Sequence, residues 1–244
     1  MKLSKNELLK VARVFAQRLK ETGVKVKSII VGGSVLRDDF VSGFSDIDVY
    51  VFVSHSEIDS NFFINLRGVL EDIEKEFRVN LRPDVFFVED LPVLLNRRVG
   101  VNDLIEKRLV IFGKDILNGV NHGDLISVAR RTIAFDEEVI RRMLYLSPFD
   151  KNSLKRAIKI CISVAKVCLF FKGKYLLDKR DIIREFKQAF PEFSKHFSTL
   201  DKAYELRVKF SSLCMNEREI RDFILSVYEF LKDVKLHFRV NQVL

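Results

Sequence analysis

The 244-residue chain has no tryptophan, only 3 cysteines and 4 prolines, and 10 glycines, and each scarcity excludes something. So little Pro and Gly rules out a collagen-like or linker-rich chain, and 48% apolar residues argue against global disorder. Cys161, Cys168 and Cys214 are an odd set without CxxC spacing, which excludes a disulfide framework and points to buried free thiols in a reducing compartment. No stretch offers the ~20 uncharged apolar residues of a membrane-spanning helix. Lys5, Glu7 and Lys10 interrupt the place where a signal peptide needs an unbroken apolar core, so a cytoplasmic protein with no membrane partner is expected.

The charge is unevenly placed. Residues 1–120 sum to zero, whereas residues 151–180 hold nine basic residues (Lys151, Lys155, Arg156, Lys159, Lys166, Lys172, Lys174, Lys179 and Arg180) against one acid, Asp178. Such a segment is either a solvated helix face or a basic wall for a polyphosphate or nucleic acid.

Apolar periodicity predicts a helix from Asn6 to about Lys20, then a short strand in VKSIIVGG, a polar turn, and a second strand in IDVYVFV. A helix over 57–77, a third strand in NLRPDVFFV, a further helix and a fourth strand in RLVIFG follow. After about 120 only helical patterns remain: 124–146, 153–171, 179–189, 199–213 and 217–236. The expected architecture is an α/β half with a short mixed sheet, residues 1–118, followed by an all-α helical bundle, residues 119–244.

Chemistry concentrates between the first two strands. A strand ending in Gly32-Gly33-Ser34 leaves backbone N–H groups and a hydroxyl open to phosphate oxygens. Asp46 and Asp48 stand at i and i+2 at the start of the next strand, so their carboxylates share one side while Ile47 turns to the core. Paired hard-oxygen donors that repel unless bridged by a cation describe a Mg²⁺ site, with Mn²⁺ as substitute. Asp84 begins the third strand, ahead of an apolar run expected to bury it beside the second, where a third carboxylate completes a two-metal arrangement for in-line phosphoryl or nucleotidyl transfer.

Gly33-Ser34, a spacer, and Ser45-Asp46-Ile47-Asp48 together resemble the signature of the nucleotidyltransferase superfamily typified by DNA polymerase beta. The resemblance implies that Asp46 and Asp48 bind the metal, that Asp84 joins them and accepts the proton of the attacking hydroxyl, and that Ser34 with the Gly33 backbone holds a nucleoside triphosphate such as ATP. Arg37 falls where many minimal members carry a basic residue, while Asp38 stands where a glycine is common. The helical half is similar to that of aminoglycoside nucleotidyltransferases, and on that ground Lys179 is carried over as a nucleotide contact. Asp136, Glu137 and Glu138 could lend a general base, as in those relatives, or form i,i+4 pairs, Glu137 with Arg141 and Glu138 with Arg142.

The implied activity is Mg²⁺-dependent transfer of a nucleoside monophosphate to an acceptor hydroxyl on a small molecule, an RNA or a protein partner. The basic helical half disfavours a polycationic acceptor. The alternative is a non-catalytic nucleotide-binding or antitoxin-like partner module.

Overall fold

The computed structural model describes residues 4–37, 39–41 and 43–240, so Asp38 lies outside the described residues. The chain divides into two compact units, Met1–Gly123 and Asp124–Leu244.

The first unit opens with α1 (Lys5–Glu21), whose N-terminal N–H groups are satisfied by a capping box between Ser4 and Glu7. Strand β1 (Ser28–Val31) and strand β2 (Ile47–Val53) follow, then α2 (Ser60–Phe77), strand β3 (Leu81–Phe87), α3 (Leu91–Leu95), α4 (Val99–Glu106) and strand β4 (Leu109–Gly113). Among the described residues the strands form one mixed sheet in the order β3-β2-β1-β4, with β2 and β3 parallel and the other neighbours antiparallel. The single helix expected between the third and fourth strands is two: Pro92 sits at the start of α3, and the polar run Asn96-Arg97-Arg98 interrupts the apolar pattern before α4.

Burial explains why β2 reads as a nearly continuous β-branched and aromatic run. It is an inner strand, and every residue but Asp48 is buried. Ile47, Val49, Val51 and Val53 pack with Ile29, Val31 and the apolar stripes of α1 and α2. From the opposite face Tyr50 and Phe52 pack with Ile30, Leu91, Leu95, Val101 and Leu104. One face of the sheet thus carries α1 and α2, and the other α3 and α4.

The second unit contains α5 (Leu125–Leu146), α6 (Lys151–Phe170), α7 (Lys179–Ala189), α8 (Phe197–Val208) and α9 (Glu217–His237), with α6 packed against each of the others. Its core includes Ile133, Ile140, Ile158, Phe186, Phe223 and Phe230. The architecture is therefore an α/β domain with a short mixed sheet followed by an all-α bundle. Cys161 and Cys168 are buried free thiols on α6, but Cys214 is exposed, because it falls in the connection between α8 and α9 rather than on a packed face. No helix among the described residues is long and apolar enough to cross a membrane.

The basic segment is mostly exposed, and several of its side chains also meet rings or an acid within this unit. Lys166 is buried with its ammonium 4.8 Å from the centre of the Tyr175 ring, Lys151 lies over Phe210, Lys172 over Phe190 and Arg180 over Tyr204. Lys174 donates to Glu185 at 2.8 Å. Glu138 pairs with Arg142 as expected and also with Arg141. Glu137 instead accepts from Lys235 of α9 at 2.8 Å, since it faces the bundle interior rather than the α5 surface.

Candidate active site

The turn after β1 brings backbone and the Asp48 side chain close together. The Gly32 amide donates to the Asp48 carbonyl oxygen at 3.1 Å, which folds the chain back over the start of β2. Gly33 follows with φ +72°, the left-handed region, and a Cβ built there would fall 2.0 Å from Asp48 Oδ2. The absence of a side chain at Gly33 is thus what lets the Asp48 carboxylate lie against the turn. Ser34 is buried within the 3-10 turn Gly33–Val35. The spacer before β2 is tied by Ser45, whose Oγ accepts from the Val41 amide at 3.0 Å, and by the buried Phe44.

Gly33→Ala is expected to cost roughly 1–3 kcal/mol of stability, because the left-handed backbone penalty adds to displacement of Asp48. Gly23, with φ +81° and nothing within 4 Å of an added Cβ, supplies the control. Denaturant midpoints of the two alanine variants should differ by the Asp48 contribution, Gly33→Ala being the lower.

Asp46 stands just before β2, is buried, and accepts from Asn80 Nδ2 at 2.9 Å. Asp48 shares the face of Tyr50 and Phe52. In the parallel ladder Asp84 stands opposite Tyr50 and Arg82 opposite Asp48, which places Asp84 on that same face. The expected burial of Asp84 is corrected: β3 is an edge strand and Asp84 is exposed, mid-strand rather than at its opening. Among the described residues no group of three or more His, Cys, Asp or Glu side chains is arranged to hold a metal ion.

Sequence reasoning did not single out Tyr50, Asn80, Asp39 or Asp103. Tyr50 is the informative one. Its buried phenol is held well above its ordinary range, first by burial and then by the charges of Asp48, Asp103 and Asp84, with Arg37 opposing them. Four charged side chains therefore act on one neutral hydroxyl, which marks this face as an electrostatic focus. Arg37, its side chain 13% exposed, lies 3.6 Å from Asp39 through Nε and 4.0 Å from Asp103 through Nη1. The i+2 relation of Tyr50 to Asp48 was the one available signal; Asn80 and Asp103 are brought in only by tertiary structure.

In the helical unit Lys179 is the first residue of α7, following the N-cap Asp178. Asp136 is buried on α5 with its carboxyl pushed up to about 7 by burial, against the opposing charge of Arg156.

Residues 10–111, which include the Gly33-Ser34 turn, Asp46, Asp48 and Asp84, match the family model of the nucleotidyltransferase domain. No curated protein matches the chain.

Proposed function

We propose that this chain, which carries a nucleotidyltransferase domain of the DNA polymerase beta-like superfamily over residues 10–111, moves a nucleoside monophosphate from a nucleoside triphosphate to an acceptor hydroxyl. The observation that supports the reading is the Asp48 carboxylate lying against a turn that carries no side chain of its own at Gly32 or Gly33. Turn and acid are then within reach of one substrate, the triphosphate at the open N–H groups and its α-phosphorus beside the carboxylate.

The donor chemistry suits Mg²⁺ or Mn²⁺: Asp46 and Asp48 offer only hard oxygens, and Asp46 has one oxygen already oriented by Asn80. Bound there, a divalent ion supplies charge neutralisation at the attacking and departing oxygens. The chain's own residues do the rest. Ser34 and the Gly33 backbone hold the triphosphate, Arg37 offsets its charge, and Asp84, exposed on the same face, takes the proton as the acceptor oxygen bonds to the α-phosphorus and pyrophosphate leaves.

The acceptor is a small molecule, an RNA or a protein. A chain of net charge +8 favours an anionic acceptor over a polycation. One observation favours the second reading, a non-catalytic nucleotide-binding or antitoxin-like module: among the described residues no three-ligand metal group is formed.

One experiment separates the two. The protein is incubated with α-phosphate-labelled ATP, CTP, GTP or UTP, Mg²⁺, and in turn total RNA, the protein alone, and a panel of small alcohols. Label in an acceptor together with pyrophosphate release is the expected result. Triphosphate binding by calorimetry without any transfer would leave the binding module. For an RNA acceptor, retention should fall steeply with salt as phosphate contacts release counterions, unlike a neutral small acceptor.

A further inference from the structure

We propose that Asp103, on α4, is a positioning residue that holds the Arg37 guanidinium in place while leaving its N–H groups available to an anion. The inference rests on the reading that Arg37 meets a triphosphate.

The distances carry it. A carboxylate that claims an arginine outright does so through hydrogen bonds of about 2.7–2.9 Å, two at a time when bidentate. Asp39 and Asp103 instead flank Arg37 at 3.6 and 4.0 Å, and the buried Nε makes no hydrogen bond. Two acids at that range attract the guanidinium from two sides without taking its donors. A mostly buried cation with unspent donors is pre-organised for an anion that brings its own oxygens.

The placement of α4 makes Asp103 more than a bystander. Its neighbour Leu104 packs so closely on the glycine turn that a Cβ at Gly32 would fall 2.5 Å from Leu104 Cδ2. One turn earlier, a Cβ at Gly100 would fall 3.1 Å from the Tyr50 hydroxyl. Asp103 therefore projects from a helix that is in register with both the turn and the floor of the site. Without it, Arg37 is left to Asp39 or drawn toward Asp48, and a guanidinium spent on either carboxylate has fewer donors for phosphate.

The sign of the effect discriminates. An acid that merely sits near a triphosphate repels it, so its neutralisation tightens binding. A positioning acid does the reverse. Calorimetry of Mg²⁺-ATP binding to the full chain is expected to show Asp103→Asn weakening affinity five- to tenfold, with no further loss when Arg37→Gln is already present. Asp103→Glu, which restores the charge, should recover affinity to within about threefold. Thermal midpoints of all variants are measured alongside, and the Nε–H resonance of Arg37, assigned by its loss in Arg37→Gln, should move to the solvent-exchanging position in Asp103→Asn.

Tighter or unchanged binding in Asp103→Asn overturns the proposal, as does an equal loss in both Arg37 backgrounds or an unmoved Arg37 resonance. If the unmodified protein binds no triphosphate, the reading of the turn fails on its own. The resonance then decides whether Asp103 holds Arg37, a shift supporting that hold and no shift overturning it.

Discussion

Asp48→Asn is expected to lower labelled-nucleotide transfer by about a thousandfold or more, while the urea midpoint stays level or rises. The two halves of that result have one cause. Asp48 lies on the sheet face where Asp84, Asp103 and the opposing Arg37 also act on Tyr50, so acids outnumber the cation around its charge. An amide fills the same volume between β2 and the Gly33 turn without that repulsion, so the folded state loses nothing in packing. What disappears is the anionic oxygen at the turn. Asp46→Asn should behave differently in stability: Asp46 is buried and accepts from Asn80, so an amide there has to present its oxygen to Asn80, with its NH₂ group facing a buried site. Undiminished transfer in Asp48→Asn would remove that carboxylate from the chemistry, and a collapse of the midpoint would make it a folding residue.

The fold was legible where one local rule decided the outcome. IDVYVFV is β-branched and aromatic because both of its faces are covered, and the alternation that turns Ile47 to the core puts Asp48 on the other side with Tyr50. The Gly33 turn was legible for a similar reason, since a close approach of backbone to carboxylate needs a residue without Cβ. Misreadings arose where neighbours distant in sequence decide. An apolar run after Asp84 reads as burial, but strand order makes β3 an edge. The basic residues of 151–180 read as a solvated face or a basic wall, and most are indeed exposed; what the local sequence does not show is that Lys151, Lys172 and Arg180 lie over rings contributed from positions 190–210, and the buried Lys166 over Tyr175. Arg37 was legible as a basic residue after the turn, but its flanking acid Asp103 comes from a helix 66 residues on, and no local pattern announces it.

The helical unit should show a stability profile opposite in sign to that of an ordinary aspartate. Asp136 releases its proton near pH 7 in the folded chain and near 3.8 when unfolded, because burial on α5 disfavours its charge more than Arg156 favours it. Between those values the folded state binds the extra proton, so this contribution is complete below about pH 4, declines as the pH rises through 7, and is flat beyond. The span corresponds to at most about 4 kcal/mol, before any cost of leaving Arg156 without its partner. Asp136→Asn keeps the volume and removes the titration. The variant is expected to melt at the same temperature as the unmodified chain near pH 4 and several degrees higher at pH 8, read by far-ultraviolet circular dichroism of the helical transition. Arg156→Met pushes the other way, since losing the opposing cation raises the Asp136 carboxyl further and extends the decline to higher pH in the unmodified background but not in Asp136→Asn. An Asp136→Asn variant less stable at pH 8 than at pH 4, relative to the unmodified chain, would mean that Asp136 is held as a carboxylate by Arg156 and that attraction rather than burial governs the site.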